Sequence, residues 1–251
     1  MKRVLGHGFA AAAVGILATV FTPACAENDQ SIFVSMVLAP ATNRQNGMCV
    51  YSSDPSQPKK SEGTVDAAIT DTYSPVILVG NQLIARGDAT NTRAESNRVH
   101  INGAVVRVTD PNGGLIGEFT TLGSAFIDPQ LNNAPSYAPV AIDAIDAPTM
   151  ARIVGDVPLG QSKLVVANIK AFGKSVGGVD LESGEFQFPI RVCNGCLISF
   201  ASGDDPATPG VDCSLPLEQG GSASQTLPCA RGQDEMTPCQ LCQDREACRG
   251  Q

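Results

Sequence analysis

The chain has 251 residues, 43% of them hydrophobic and 17% charged, and its 25 acidic residues against 17 basic give a formal net charge of −8. The length suffices for one sizeable sandwich or two small domains, and the acidic balance gives nucleic acid and anionic membrane poor support as charge-driven partners. With His7 and His100 as the two histidines, histidine-rich metal centres and histidine-based metalloprotease chemistry are excluded.

Residues 1–26 read as an export signal. Lys2 and Arg3 form its positive start, residues 4–21 are apolar or small apart from His7, and Pro23 breaks the segment before a small-residue site. Two cleavages fit. Ala24-Cys25-Ala26 suits ordinary signal peptidase, with cleavage after Ala26. Thr22-Pro23-Ala24-Cys25 resembles a lipobox, with cleavage before Cys25 and lipid on its sulfur, and lipid attachment at Cys25 is the expectation preferred here. The signal removes two basic residues and no acids, so the mature chain carries 15 basic against 25 acidic residues, a balance of −10. No basic cluster larger than Lys59-Lys60 remains.

Along the mature chain, residues 31–38 predict a first strand that ends at Ala39-Pro40. Cys49-Val50-Tyr51 is a short apolar run before a polar, proline-bearing loop over residues 52–63. Residues 64–69 and 75–83 predict two more strands, the second apolar enough to be central. Residues 86–98 are a loop or short helix. A clear hairpin follows. Val99, Ile101, Val105, Val106 and Val108 mark a strand over 99–109 with a bulge at Asn102-Gly103, and Asp110-Pro111-Asn112-Gly113-Gly114 is turn chemistry throughout. Residues 115–121 return.

Residues 140–145 and 163–172 predict further strands; residues 141–152 also suggest a helix, which Pro148 argues against. In residues 185–192, Phe186, Phe188, Ile190 and Val192 alternate with polar or turn residues, the period of a half-buried strand. Asn194-Gly195 predicts a type I′ turn flanked by Cys193 and Cys196, with Leu197, Ile198 and Phe200 starting the return strand.

From residue 201 onward Gly, Pro, Ser, Asp and Gln dominate. Such a segment cannot build its own hydrophobic core, so cross-links must order it. Of the nine cysteines, Cys25 leaves the count under either cleavage. The remaining eight are Cys49, Cys193, Cys196, Cys213, Cys229, Cys239, Cys242 and Cys248, and an even number in an exported chain predicts up to four disulfides, of open connectivity. The expected fold is all-β, an antiparallel, immunoglobulin-like β-sandwich over residues 27–200 followed by a disulfide-rich tail over 201–251.

Several motifs together resemble a family of uncharacterised secreted or outer-membrane lipoproteins from delta-class soil bacteria. They are the signal ending in a cysteine, I-L-V-G-N-Q-L-I-A-R-G-D (residues 77–88), V-R-V-T-D (106–110), F-P-I-R-V-C-N-G-C-L (188–197) and P-C-Q-L-C (238–242). The resemblance implies an envelope location and carries no activity with it.

Site chemistry points away from catalysis. His100 alternates with Val99 and Ile101 as a solvent-side strand residue, and no P-loop or dinucleotide fingerprint is present. Cys193/Cys196 with Cys239/Cys242 have the residues of a four-cysteine zinc site, but an oxidising address favours disulfides, and Cys239/Cys242 lacks the βαβ context of a redox dithiol. Asp143, Asp146 and Asp156 are the candidates for carboxylate-pair hydrolysis. Tyr51, Tyr73 and Tyr137 are the candidates for glycan contact, and a concave face with Tyr73 and Tyr137 side by side would favour it. Residues 110–114 have the look of half a calcium loop, and Arg86-Gly87-Asp88 that of an attachment tripeptide; a tight turn explains each. The expectation is a non-enzymatic envelope lipoprotein without cofactor or metal, exported and held by lipid, meeting an envelope or extracellular protein or polymer. A secreted ligand- or glycan-binding module is the alternative. Strand addition at a sheet edge marked by Pro189 is the expected mode of contact.

Overall fold

The computed structural model describes residues 31–42, 48–87, 94–130, 132–200, 213 and 227–249. Within them the chain is mostly β. The strands are β1 (Ile32–Leu38), β2 (Lys59–Lys60), β3 (Gly63–Asp66), β4 (Val76–Asn81), β5 (Val99–Thr109), β6 (Leu115–Ile127) and β7 (Ser136–Ala141). After α1 (Ala147–Val154) come β8 (Ser162–Ser175), β9 (Asp180–Glu182), β10 (Phe186–Cys193), β11 (Ile198–Ser199) and β12 (Thr237–Pro238). Residues 1–26, expected to be an export signal, lie outside the described residues, Cys25 among them.

One sheet has the order β2-β1-β4-β7; a larger one has the order β3-β10-β8-β5-β6, with β9 also paired to β8. Period-two patterning aims one side of each strand inward. Ile32, Val34 and Val37 of β1, Ile77 and Val79 of β4, and Val140 of β7 join Val99, Ile101, Val106 and Val108 of β5 in one apolar cluster. Val165, Ala167, Ile169 and Ala171 of β8 and Phe188, Ile190 and Val192 of β10 complete it. Burying a side chain of Phe or Ile size contributes roughly 1.5–3 kcal/mol, so this shared cluster is the main favourable term holding the sheets. The Asn102-Gly103 bulge is present: the register of β5 shifts between Ile101 and Gly103 against both β6 and β8. A Cβ at Gly103 would run into the Thr121 carbonyl oxygen, so the close approach of β6 requires glycine there.

Four local expectations change. Two pairings are parallel, β3 with β10 and β11 with β12. The Asn194-Gly195 turn is not a hairpin: Gly195 takes φ 83° but Asn194 does not share a positive φ. Asn194 is instead tied to residues 157–161, with Nδ2 donating to Val157 (3.0 Å), its amide to Gln161 (3.2 Å) and its carbonyl accepting from Gly160 (2.8 Å). The return segment therefore leaves β10 and pairs with the tail. The strand expected over 140–145 stops at Ala141, and a helix follows. Asp146 caps it, accepting from the Thr149 amide at 3.0 Å, and Pro148 sits in the first turn, where its missing N–H breaks no helical bond. Finally, β10 is flanked by β3 over Ile190–Cys193, so Pro189 marks only the end of an interior pairing, at the residue before β3 begins.

Candidate functional site

The tail returns to the larger sheet through three residues. The Asp66 amide donates to the Gly232 carbonyl and the Asp234 amide to the Thr64 carbonyl, both at 2.8 Å, and Val65 bridges Gln233. Tail residues 232–234 thereby pair along the outer side of β3, giving that edge a neighbour. Asp234 holds a left-handed φ of 60° and turns its carboxylate inward. There it accepts from the Thr64 amide (2.8 Å) and the buried Tyr73 hydroxyl (3.1 and 3.2 Å), and Lys60 Nζ lies 2.5 Å from Oδ2. Burial, then the Asp234 charge, pushes the Tyr73 phenol far above its ordinary value of 10.0. Gln233 adds an acceptor for the Ser74 amide (2.9 Å) and a donor to the Thr72 carbonyl (3.3 Å).

The eight cysteines form four pairs: Cys49–Cys229, Cys193–Cys196, Cys213–Cys239 and Cys242–Cys248. The four thiols of the two C-x-x-C pairs therefore do not converge, since Cys239 and Cys242 take different partners. Cys213, Cys239, Cys242 and Cys248 are buried with Ile69 in a second cluster, against which Ile198 and Phe200 pack. Among the described residues, sulfur supplies most of this second cluster. By loop-closure entropy, Cys49–Cys229 with 180 residues of separation contributes roughly 5 kcal/mol. Cys193–Cys196, separated by three, contributes roughly 2 kcal/mol.

The Cys193–Cys196 loop has its own support in the buried Asp66. One Asp66 carboxylate oxygen accepts from the Gly195 amide (2.7 Å) and the Ala68 amide (3.0 Å), and the other from the Leu197 amide (2.8 Å). A carboxylate oxygen of Asp66 and the two sulfurs lie within 4.8 Å of one another. Cys193 is buried at the end of β10, whereas Cys196 is exposed.

The other sequence candidates are dispersed. His100 is half-buried on the outer face, its ring 4.4 Å from that of Phe126 and its Nε2 2.9 Å from Ser124 Oγ. Asp146 is a helix cap, Asp156 pairs with Lys163 (3.2 Å) and Asp143 accepts from Ser74 Oγ (2.6 Å). Tyr73 is fully buried and stacks on Phe188 at 6.4 Å, while Tyr137 meets Phe33 edge-on at 5.9 Å. The platform of Tyr73 beside Tyr137 that glycan contact would call for is therefore not formed, because a residue with its ring in the core and its hydroxyl on Asp234 cannot face a glycan. Tyr51 lines a small cleft with Lys60, Ser74, Gln233 and Asp234. The Asp110 carboxylate closes its own turn onto the Asn112 (2.7 Å) and Gly114 (2.9 Å) amides. Glu95 accepts from the Arg86 and Gly87 amides at 2.8 and 2.7 Å, and Asp88 lies outside the described residues.

Sequence reasoning missed Asp66, Ile69 and Asp234. No local pattern marks them, because apart from the Ala68 amide on Asp66 the partners that define their roles are more than a hundred residues away in the chain. No family model matches this chain, and no curated protein matches it.

Proposed function

We propose that this chain is a non-enzymatic lipoprotein of the cell envelope, of the kind its motifs resemble, held at the outer membrane by lipid on Cys25. Its body is an immunoglobulin-like β-sandwich with a disulfide-stapled tail, and its role is structural or interactive. The observation that carries this reading is the cysteine pairing: the eight cysteines beyond the export segment fall into four pairs, and a thiol-reducing cytosol does not maintain such a set. One apolar cluster drawing on both sheets supports the sandwich. The scattered placement of Asp143, Asp146, Asp156 and His100 supports a non-catalytic role, since each is engaged in local structure. The rigid acidic surface would meet an envelope or extracellular protein or polymer.

Intact mass of the protein recovered from its native envelope, before and after reduction with alkylation, tests this. The expected result is a chain beginning at Cys25 with added acyl mass, and eight thiols that accept alkyl groups only after reduction. A chain beginning after Ala26 overturns the anchor; alkylation without reduction overturns the oxidising address.

A further inference from the structure

The four disulfides are not equivalent, and one departs from a purely structural role on three independent grounds. Cys193–Cys196 closes the shortest loop, with a sequence separation of three. Its backbone is already fixed without it, by the Asp66 carboxylate on the Gly195 and Leu197 amides, by Asn194 on residues 157–161, and by the Ala67 amide on the Cys193 carbonyl (2.8 Å). It also pairs an exposed cysteine with a buried one, whereas Cys213–Cys239 and Cys242–Cys248 are buried at both ends and Cys49–Cys229 is half-buried at both. By loop-closure entropy a staple on the shortest loop contributes the least of the four to stability. An exposed cysteine bonded to a buried one suits thiol–disulfide exchange directed at the exposed end, because attack must reach one sulfur in line with the bond to the other.

We propose that Cys193–Cys196 is a thiol-exchange site, opened by an exogenous dithiol that attacks Cys196. The attacking thiolate forms a sulfur–sulfur bond to Cys196 Sγ while the Cys193–Cys196 bond breaks. Its electron pair goes to Cys193 Sγ, which takes a proton from solvent. The second thiol of the reagent, as thiolate, then attacks its own sulfur in the mixed disulfide and releases Cys196 as thiolate. The balance is one protein disulfide reduced by two electrons and one dithiol oxidised to its cyclic disulfide. The loop keeps its shape throughout because Asp66 and Asn194 hold it. This inference does not depend on lipid at Cys25.

Limiting dithiothreitol on the folded full chain, quenched with iodoacetamide and read by peptide mass spectrometry, tests it. Cys193 and Cys196 should become alkylated at least about tenfold faster than any other pair, with the far-ultraviolet circular dichroism unchanged. Opening of Cys49–Cys229 first or equally fast, or a requirement for denaturant, overturns the proposal. Loss of the β signal on opening this one pair overturns the claim that the loop is held independently. As a second arm, C193A in oxidised glutathione should take one glutathione on Cys196 without loss of secondary structure; a folded variant that takes none overturns the proposal as well.

Discussion

Removing the long staple should damage this protein far more than removing the short one. The perturbations are the paired substitutions C49A/C229A and C193A/C196A, each leaving three native disulfides. Loop-closure entropy grows with the logarithm of loop length, so separations of 180 and three residues differ by roughly 3.5 kcal/mol. The folded state changes little in either case. With Cys49–Cys229 gone the tail is still docked by Asp234 on Tyr73, Thr64 and Lys60 and by Gln233 on Ser74, and with Cys193–Cys196 gone the loop is still held by Asp66. The difference therefore lies in the unfolded chain. Urea unfolding in non-reducing buffer, followed by circular dichroism, should show losses of roughly 5 and roughly 2 kcal/mol for the long and short pairs. The urea dependence should steepen for the long pair alone, because its unfolded chain is freed to expand. Equal losses, or a larger loss for the short pair, would refute the reasoning and mean that the tail is held by its surface contacts rather than by its tether.

Tyr73→Phe should cost roughly 1.5–3 kcal/mol at neutral pH, the value of a hydrogen bond to a charged group, measured by the same urea titration. Its pH dependence has a definite sign: below pH 10.0 the phenol is protonated in both folded and unfolded chains, and above it the unfolded phenol ionises while the folded one does not. The native protein should then lose up to about 1.4 kcal/mol per pH unit above that value relative to Tyr73→Phe, and parallel profiles for the two would contradict this. Phe188→Ala should cost roughly 3–5 kcal/mol, as it removes a fully buried ring from the shared cluster and the stacking surface under Tyr73, and a change below 1 kcal/mol would count against the packing described. Gly232→Ala should loosen the docked tail by roughly 1–3 kcal/mol, since φ is 70° and the new Cβ would lie 2.8 Å from Ile69 Cβ; hydrogen exchange at the Asp66 and Asp234 amides reports it.

Patterning by itself determined the longer strands such as β5 and β10, the bulge and the need for staples. Val99–Thr109 reads as a strand with its glycine bulge because alternation and turn chemistry are local, and the same holds for Phe186–Cys193. Composition alone required cross-links in the tail, since the residues after 200 lack the apolar side chains for an interior. The helix was misjudged because Pro148 opposes a helix interior but suits a first turn, and where the first turn falls depends on Asp146. Only the tertiary structure could decide which cysteines meet, that β3 lies parallel to β10, and that Asp66 and Asp234 serve partners more than a hundred residues away. A carboxylate's role is set by which amides and hydroxyls surround it in space. Its sequence neighbours carry no record of chain segments that arrive from elsewhere.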